Sequence, residues 1–140
     1  MIKRRGSAHW SGGLKDGTGE VSTQSGAVKA PYSFGRRFGD VAGTNPEELI
    51  GAAHAGCYAM ALSATLDGEG FRADAIDATA VVTLETEGAP TVTKIHLELK
   101  AKIPGIDEAK FQELAKQTKE ACPISRLLAA AEITLDAQLV

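Results

Sequence analysis

The sequence predicts an α+β fold with largely antiparallel pairing, and three observations carry that prediction. Short β-prone runs rich in Gly, Ser and Thr fill the first part of the chain. One long stretch of small and apolar residues follows. The second half then sets strand-like alternation beside an amphipathic helical segment. The order of elements is strands, an apolar helix, a strand pair, helices and a closing strand, which suits an α+β domain better than repeated βαβ units. At 140 residues the chain is expected to form a single domain spanning 1–140. A domain of that size hides roughly 70% of the surface its unfolded chain exposes, so it builds a core without a metal or a disulfide framework.

Taken in order, Ser7–Ser11, Gly19–Ser25 and Tyr32–Phe38 read as three short strands joined by Gly-containing turns. Trp10 is expected as a core anchor or a pocket wall. After a loop at Asp40–Gly43, Thr44 or Asn45 caps a helix. Pro46 fits its first turn, and Glu47 and Glu48 suit the positive end of its dipole. The helix is expected to run to about Leu66. It is small or apolar on nearly every side, where a surface helix shows one apolar stripe. That predicts a central helix buried all round, whose small residues let other backbone approach. It reads as too short and too weakly hydrophobic for a membrane span. One chain supplies only one or two layers of cover, so a second copy is expected to supply the rest in an intertwined homodimer.

Gly68–Gly70 ends that helix. Ala75–Glu85 and Thr91–Ile103 read as two long strands with a hairpin turn at Gly88–Pro90. In the second, Ile95, Leu97, Leu99, Ala101 and Ile103 alternate with His96, Glu98, Lys100 and Lys102, the period-two pattern of a half-buried strand. Pro104–Gly105 breaks it. Asp107–Ala121 is an amphipathic helix with Phe111, Leu114 and Ala115, and Ile106 just before it, facing inward. Pro123 restarts the chain as a short helix, ISRLLAAA, and Glu132–Leu139 closes it as a strand.

The bulk numbers exclude several roles. Hydrophobic content of 44% and charged content of 24% are ordinary for a globular protein. A formal net charge of -3 with no long basic stretch argues against nucleic-acid binding. The basic start MIKRRGSAHW has no apolar run behind it, so no signal peptide is expected. A cytoplasmic protein with no membrane partner follows.

Two cysteines in such a chain leave three readings: inert buried thiols, part of a metal site, or a redox pair. His9, His54 and His96 show no spacing with them that suits zinc. Cys57 lies within the apolar helix, where desolvation raises a thiol pKa. It becomes a nucleophile only if a cation reaches it, and Arg36 or Arg37 is the candidate. A buried Arg needs a carboxylate of its own, which Glu47 or Glu48 can supply. The competing reading is an exposed Arg pair and two glutamates that merely offset a dipole. Cys122 sits before Pro123 near a helix start, where the dipole favours a thiolate, so local electrostatics alone makes it the more reactive cysteine. His54 lies one turn before Cys57 and can share its face, although a packed helix residue is the simpler reading.

Two stretches are recognisable. GTNPEELIGAAHAGCYAMALS resembles the signature of the OsmC/Ohr family, the osmotically induced and organic-hydroperoxide-resistance proteins. CPISRLL followed by EITLDAQL resembles its second signature. AHWSGGLKDGTGEVSTQSG and PYSFGRRF look like the OsmC branch, so the resemblance covers essentially the whole chain. It implies an intertwined homodimer with sites at the subunit interface, and a thiol peroxidase that reduces organic hydroperoxides in oxidative and osmotic stress defence. Hydrogen peroxide would be reduced less well. By that resemblance Cys57 matches the peroxidatic cysteine, Cys122 the resolving cysteine, Arg37 the catalytic arginine and Glu47 its carboxylate. Arg36 is the departure from the pattern. No metal or cofactor is implied, only an external dithiol reductant, lipoyl-type or other. Trp10, Tyr32, Phe34, Phe38 and Met60 are the expected apolar walls of the substrate site. The alternative is a non-catalytic protein that binds a hydrophobic ligand.

One geometric difficulty is visible at once. Glu47 and Cys57 are ten residues apart on what reads as one helix, about 15 Å of rise at roughly 280° of rotation. Either the helix breaks, with Gly51 the natural place, or Glu47 or Arg37 reaches the thiol from a partner chain.

Overall fold

A computed structural model describes residues 1–140, and these fall into two compact units, Met1–Leu49 and Ile50–Val140. In the first unit, β1 (Gly6–Ser11), β2 (Thr18–Thr23) and β3 (Lys29–Tyr32) form an antiparallel sheet in that order. The third predicted strand is corrected. It stops at Tyr32, and Phe34–Phe38 is a short helix, α1. The reason is Ser33, whose hydroxyl accepts from the Arg36 N–H at 3.3 Å and caps the turn. A serine bonded to the backbone three residues on draws the chain out of the extended state.

α2 (Pro46–Gly68) starts as expected, with Asn45 Oδ1 accepting from the Glu48 N–H at 2.8 Å. It is one unbroken helix, so the break considered at Gly51 does not occur. The sequence reading assigned part of the cover of α2 to a second copy, and within a single chain α2 is not buried on every side. Its buried residues are Gly51, His54, Tyr58, Leu62 and Leu66, a single stripe at three- and four-residue spacing. Ala52, Ala53, Gly56 and Met60 are exposed, Met60 at 78%. Small residues on the other faces have no bulk with which to reach the rest of the chain. By length and composition α2 does qualify as a membrane-crossing helix, contrary to the sequence reading, but its stripe is occupied by the protein core.

In the second unit the strands are β4 (Ala75–Glu85), β5 (Thr91–Lys102) and β6 (Glu132–Leu139), with β5 in the centre. β4 and β5 form an antiparallel hairpin with an irregularity between Thr83 and Leu84. β6 runs parallel to β5, an exception to the antiparallel expectation. A parallel partner needs a long crossover, and α3 (Glu108–Ala121) and α4 (Pro123–Leu127) provide it. Along β5, Ile95, Leu97, Leu99 and Ala101 are buried in alternation. The core joins Tyr58, Leu62 and Leu66 of α2 to Leu97 and Leu99 of β5 and to Phe111 and Leu114 of α3. Two hydroxyls inside are paired: Tyr58 O–H donates to the Ala115 carbonyl at 3.0 Å, and Thr118 O–H to the Leu114 carbonyl at 2.8 Å.

Gly51 serves packing. A Cβ placed there would stand 2.9 Å from the Ala80 carbonyl oxygen of β4. Gly51→Ala should therefore lower stability by about 1–2 kcal/mol, the cost of overpacking outweighing the roughly 1 kcal/mol by which alanine favours a helix. Urea titration of the two proteins measures this, and a more stable variant would show that α2 and β4 are not in contact.

Candidate functional site

Core packing sets the rotation of α2, and that rotation places Cys57 beside the buried stripe and half-buried. Cys122 stands where α3 ends and α4 begins, and it is fully buried. Its φ of −55° and ψ of 124° are those of a residue pushed out of the helical region by the proline that follows. The two sulfurs lie 3.0 Å apart, joined by a hydrogen bond, and both thiols are free. A disulfide is about 2.05 Å long, so bond formation asks for only a small approach.

The surroundings treat the two thiols differently. Burial, then the hydrogen bond with Cys122, pushes Cys57 above its ordinary value, and the Ile124 amide offsets this in part. Burial also works against ionisation of Cys122. Its bond with Cys57, the amide and hydroxyl of Ser125 and the amide of Ile124 outweigh that and hold it below its ordinary value. These amides are free donors at the first turn of α4. Ionisation therefore favours Cys122, in keeping with the local reading of the sequence, while access favours Cys57. The groups acting on Cys57 include no cation.

A second pair lies beside the thiols, and sequence reasoning gave it little weight. His54 Nε2 is 2.7 Å from Ser125 Oγ, and both side chains are buried. His54 Nδ1 is the only buried side-chain polar atom with no partner; such an orphan costs about 1–3 kcal/mol. Burial holds the His54 pKa below its ordinary value. Seventy-one positions separate the two residues, so no spacing links them. The only available signal was that His54 lies one turn from Cys57, and Ser125 one turn from Cys122.

The first unit gathers another set of predicted residues. Arg37 NH2 donates to Glu47 Oε1 at 2.8 Å, and Arg37 Nε reaches both carboxylate oxygens at 3.2 and 3.3 Å. This is the two-point contact that fixes a guanidinium plane. Arg36 has different work: its Nε donates to the Ala42 carbonyl at 3.1 Å and its NH1 to Ser33 Oγ at 3.3 Å, which ties down the loop before α2. Glu48 makes no ion pair here; its backbone N–H receives the Asn45 cap.

Trp10, Tyr32, Phe34 and Phe38 line one pocket of about 260 Å³, with Arg37 at its wall and Leu14 an addition the sequence did not suggest. Met60 does not line this pocket; it lies on the exposed side of α2. The Trp10 and Tyr32 rings are 5.2 Å apart across β2. Gly19 faces Trp10 on one side and Tyr32 on the other. A Cβ there would fall 2.6 Å from Trp10 Cε3 and would also collide with the Tyr32 ring. No group of three His, Cys, Asp or Glu side chains gathers as a metal site.

Comparison with known proteins is specific. Residues 38–137 match the family described as OsmC-like protein. Over 140 residues the chain is 49% identical to peroxiredoxin OsmC of Escherichia coli (strain K12), covering 99% of this chain and 97% of that one. It is 29% identical over 102 residues to an organic hydroperoxide resistance protein of Xanthomonas axonopodis pv. citri, covering 70% of this chain and 67% of that one. In fold it matches the crystal structure of an organic hydroperoxide resistance protein OsmC from Legionella pneumophila. The TM-score is 0.77 at 24% identity, over 99% of this chain and 98% of that one.

Two outcomes are expected. Limited alkylation mapped by mass spectrometry should label Cys57 before Cys122, because reach outweighs ionisation when one sulfur is sealed from solvent. Gly19→Val should drive the Trp10 and Tyr32 rings apart and red-shift the emission of Trp10, the only tryptophan. Unchanged emission would mean that the rings do not close over Gly19.

Proposed function

The chain belongs to the OsmC-like protein family, and on that footing we propose that it is a cysteine-based peroxidase that reduces organic hydroperoxides, Cys57 attacking and Cys122 resolving. The observation that carries this reading is a pair of free thiols 3.0 Å apart, of which only Cys57 is reachable. An attacking sulfur must touch the peroxide oxygen; a resolving sulfur needs only to touch the first. Cys57 takes one oxygen and becomes a sulfenic acid, which condenses with Cys122 to a disulfide and water. An external dithiol, lipoyl-type or other, resets the pair, in keeping with a reducing cytoplasm.

Cys57 needs help to ionise, since burial works against it. Lowering a thiol pKa from about 8.5 to about 5.5 raises the thiolate fraction at pH 7 roughly 30-fold. The accompanying loss of nucleophilicity is roughly 20-fold at a Brønsted slope near 0.4–0.5. Ionisation alone therefore gains little. Arg37 supplies the charge and also hydrogen-bonds the peroxide, stabilising the alkoxide that leaves. Glu47 holds the guanidinium plane through its two-point contact.

The unbroken course of α2 supports delivery of Arg37 and Glu47 from a second copy of the chain. The exposed apolar faces of α2, Met60 included, are what that copy would cover. A homodimer with two sites at its interface follows, in which the pocket of Trp10, Tyr32, Phe34 and Phe38 receives the organic part of the substrate. Each buried methylene contributes about 0.8 kcal/mol. The pocket by itself also suits a non-catalytic protein that binds an apolar ligand; such a protein would keep both thiols after one equivalent of cumene hydroperoxide.

Cys57→Ser should lose peroxide consumption, and Cys122→Ser should consume about one equivalent and then stall. A sulfenic acid on Cys122 with activity retained in Cys57→Ser would reverse the roles. Catalytic efficiency should rise from hydrogen peroxide to larger alkyl hydroperoxides; a flat series would remove the pocket from the mechanism. Mixing Cys57→Ser with Arg37→Ala, with subunit exchange verified, should restore about a quarter of wild-type activity, because half the dimers then carry one complete site. No recovery would defeat the shared site.

A further inference from the structure

The contact between the two sulfurs joins side chains sixty-five positions apart, and two hydrogen bonds of α2 bracket it. Within α2, Cys57 lies between His54 and Tyr58. Tyr58 O–H donates to the Ala115 carbonyl at 3.0 Å and ties α2 to α3. His54 Nε2 and Ser125 Oγ, hydrogen-bonded at 2.7 Å, tie α2 to α4. Cys122 stands between those two anchors, at the junction of α3 and α4.

The two ties hold very different elements. α3 has fourteen residues and buries Phe111, Leu114, Ala115 and Thr118, so packing seats it. α4 has five residues, and Ser125 alone among them is buried. A helix that short has no stability of its own in water. Ile124 packs at the edge of the core, but an apolar contact has no direction. Among the side chains of α4, only Ser125 makes a hydrogen bond, and it makes it to α2. That bond also carries a cost. His54 is wholly buried and its Nδ1 has no partner, and a buried polar atom without a partner is destabilising. Two apolar residues would fill the same space without that penalty, but they would not fix how α4 leads away from Cys122.

We propose that the His54–Ser125 hydrogen bond positions the redox pair: it seats α4 on α2 so that the Cys122 sulfur stays within bonding reach of Cys57 as Cys57 is oxidised. This rests on the reading of Cys57 as the attacking thiol and Cys122 as the resolving one. In the condensation the Cys122 S–H bond and the Cys57 S–O bond break, the S–S bond forms, and the hydrogen leaves with the hydroxyl as water. The sulfurs close from 3.0 Å to about 2.05 Å. Reacting atoms held at such a separation need little further ordering. Speed matters because a second hydroperoxide competes for the same sulfenic acid and converts it to sulfinic acid. His54 and Ser125 are positioning residues, and the step requires no proton from either.

The test uses the full-length protein and reads two quantities by alkylation and mass spectrometry. One is the fraction of Cys57–Cys122 disulfide at equilibrium in dithiothreitol redox buffers. The other is the cumene hydroperoxide concentration at which half of Cys57 becomes sulfinic acid. His54→Gln offers Ser125 a side-chain amide in place of Nε2 and should stay within about twofold of the wild type in both. His54→Leu combined with Ser125→Ala removes both polar groups together, so the reduced protein should keep its urea midpoint. Its disulfide equilibrium constant should nevertheless fall about tenfold, a rise of about 30 mV in reduction potential. Half-conversion to sulfinic acid should come at about a tenfold lower peroxide concentration. A merely structural pair would move the urea midpoint and leave the potential alone.

Wild-type values of both quantities in the double variant overturn the proposal. An equal shift in His54→Gln, which keeps the bond, overturns it too. If the double variant does not fold, Ser125→Ala alone removes one hydroxyl and should shift both quantities in the same direction; wild-type values there are equally fatal. Failure of the underlying reading shows itself in the wild type, which would then keep two alkylatable thiols after one equivalent of cumene hydroperoxide.

Discussion

The rotation of α2 about its own axis is the constraint on which the thiol site depends. Tyr58, Leu62 and Leu66 are wholly buried against β5 and α3, and each such side chain contributes about 1.5–3 kcal/mol by leaving water. No other rotation of the helix buries all three. Once it is set, a residue's position on the helical wheel determines its chemistry. His54, one turn before Tyr58, stays within the stripe and is sealed. Cys57, one residue before Tyr58, falls roughly 100° away at the margin of the stripe, where it is half-buried and within reach of both Cys122 and the outside.

That placement sets burial against reactivity. A thiol at the edge of a core is protected from adventitious oxidation, and the same desolvation holds its pKa up. The first unit of the chain carries what the second lacks: a guanidinium fixed by two contacts to one carboxylate, beside an aromatic pocket. Two neighbouring arginines divide the structural and electrostatic roles. Arg36 is spent on the Ala42 carbonyl and Ser33. Arg37 has Glu47 and the face of Phe38, 5.3 Å away, and lines the aromatic pocket.

Much of the local structure was legible from residue order because its causes are local. Asn45 and Pro46 mark the start of α2, and β5 announces itself by strict alternation, since both signals act over a few residues. The segment after Tyr32 was misread because a single side-chain bond, from Ser33, outweighs the aromatic and β-prone look of its neighbours. The parallel seat of β6 depends on how α3 and α4 carry the chain across the sheet, which alternation within β6 does not record.

By itself the sequence determined most of the elements and their order, the short helix Phe34–Phe38 being the exception, together with the two cysteine motifs and the pairing of a proline-led acidic helix start with an arginine-bearing segment. These follow from propensity, periodicity and resemblance, all carried by short windows of residues. Only the tertiary structure decided which thiol is reachable, which stripe of α2 packs against its own chain, and that His54 meets Ser125 across seventy-one positions. Exposure and pairing are properties of surfaces brought together by the whole chain. A helix of small residues is compatible with many rotations until the large side chains around it select one.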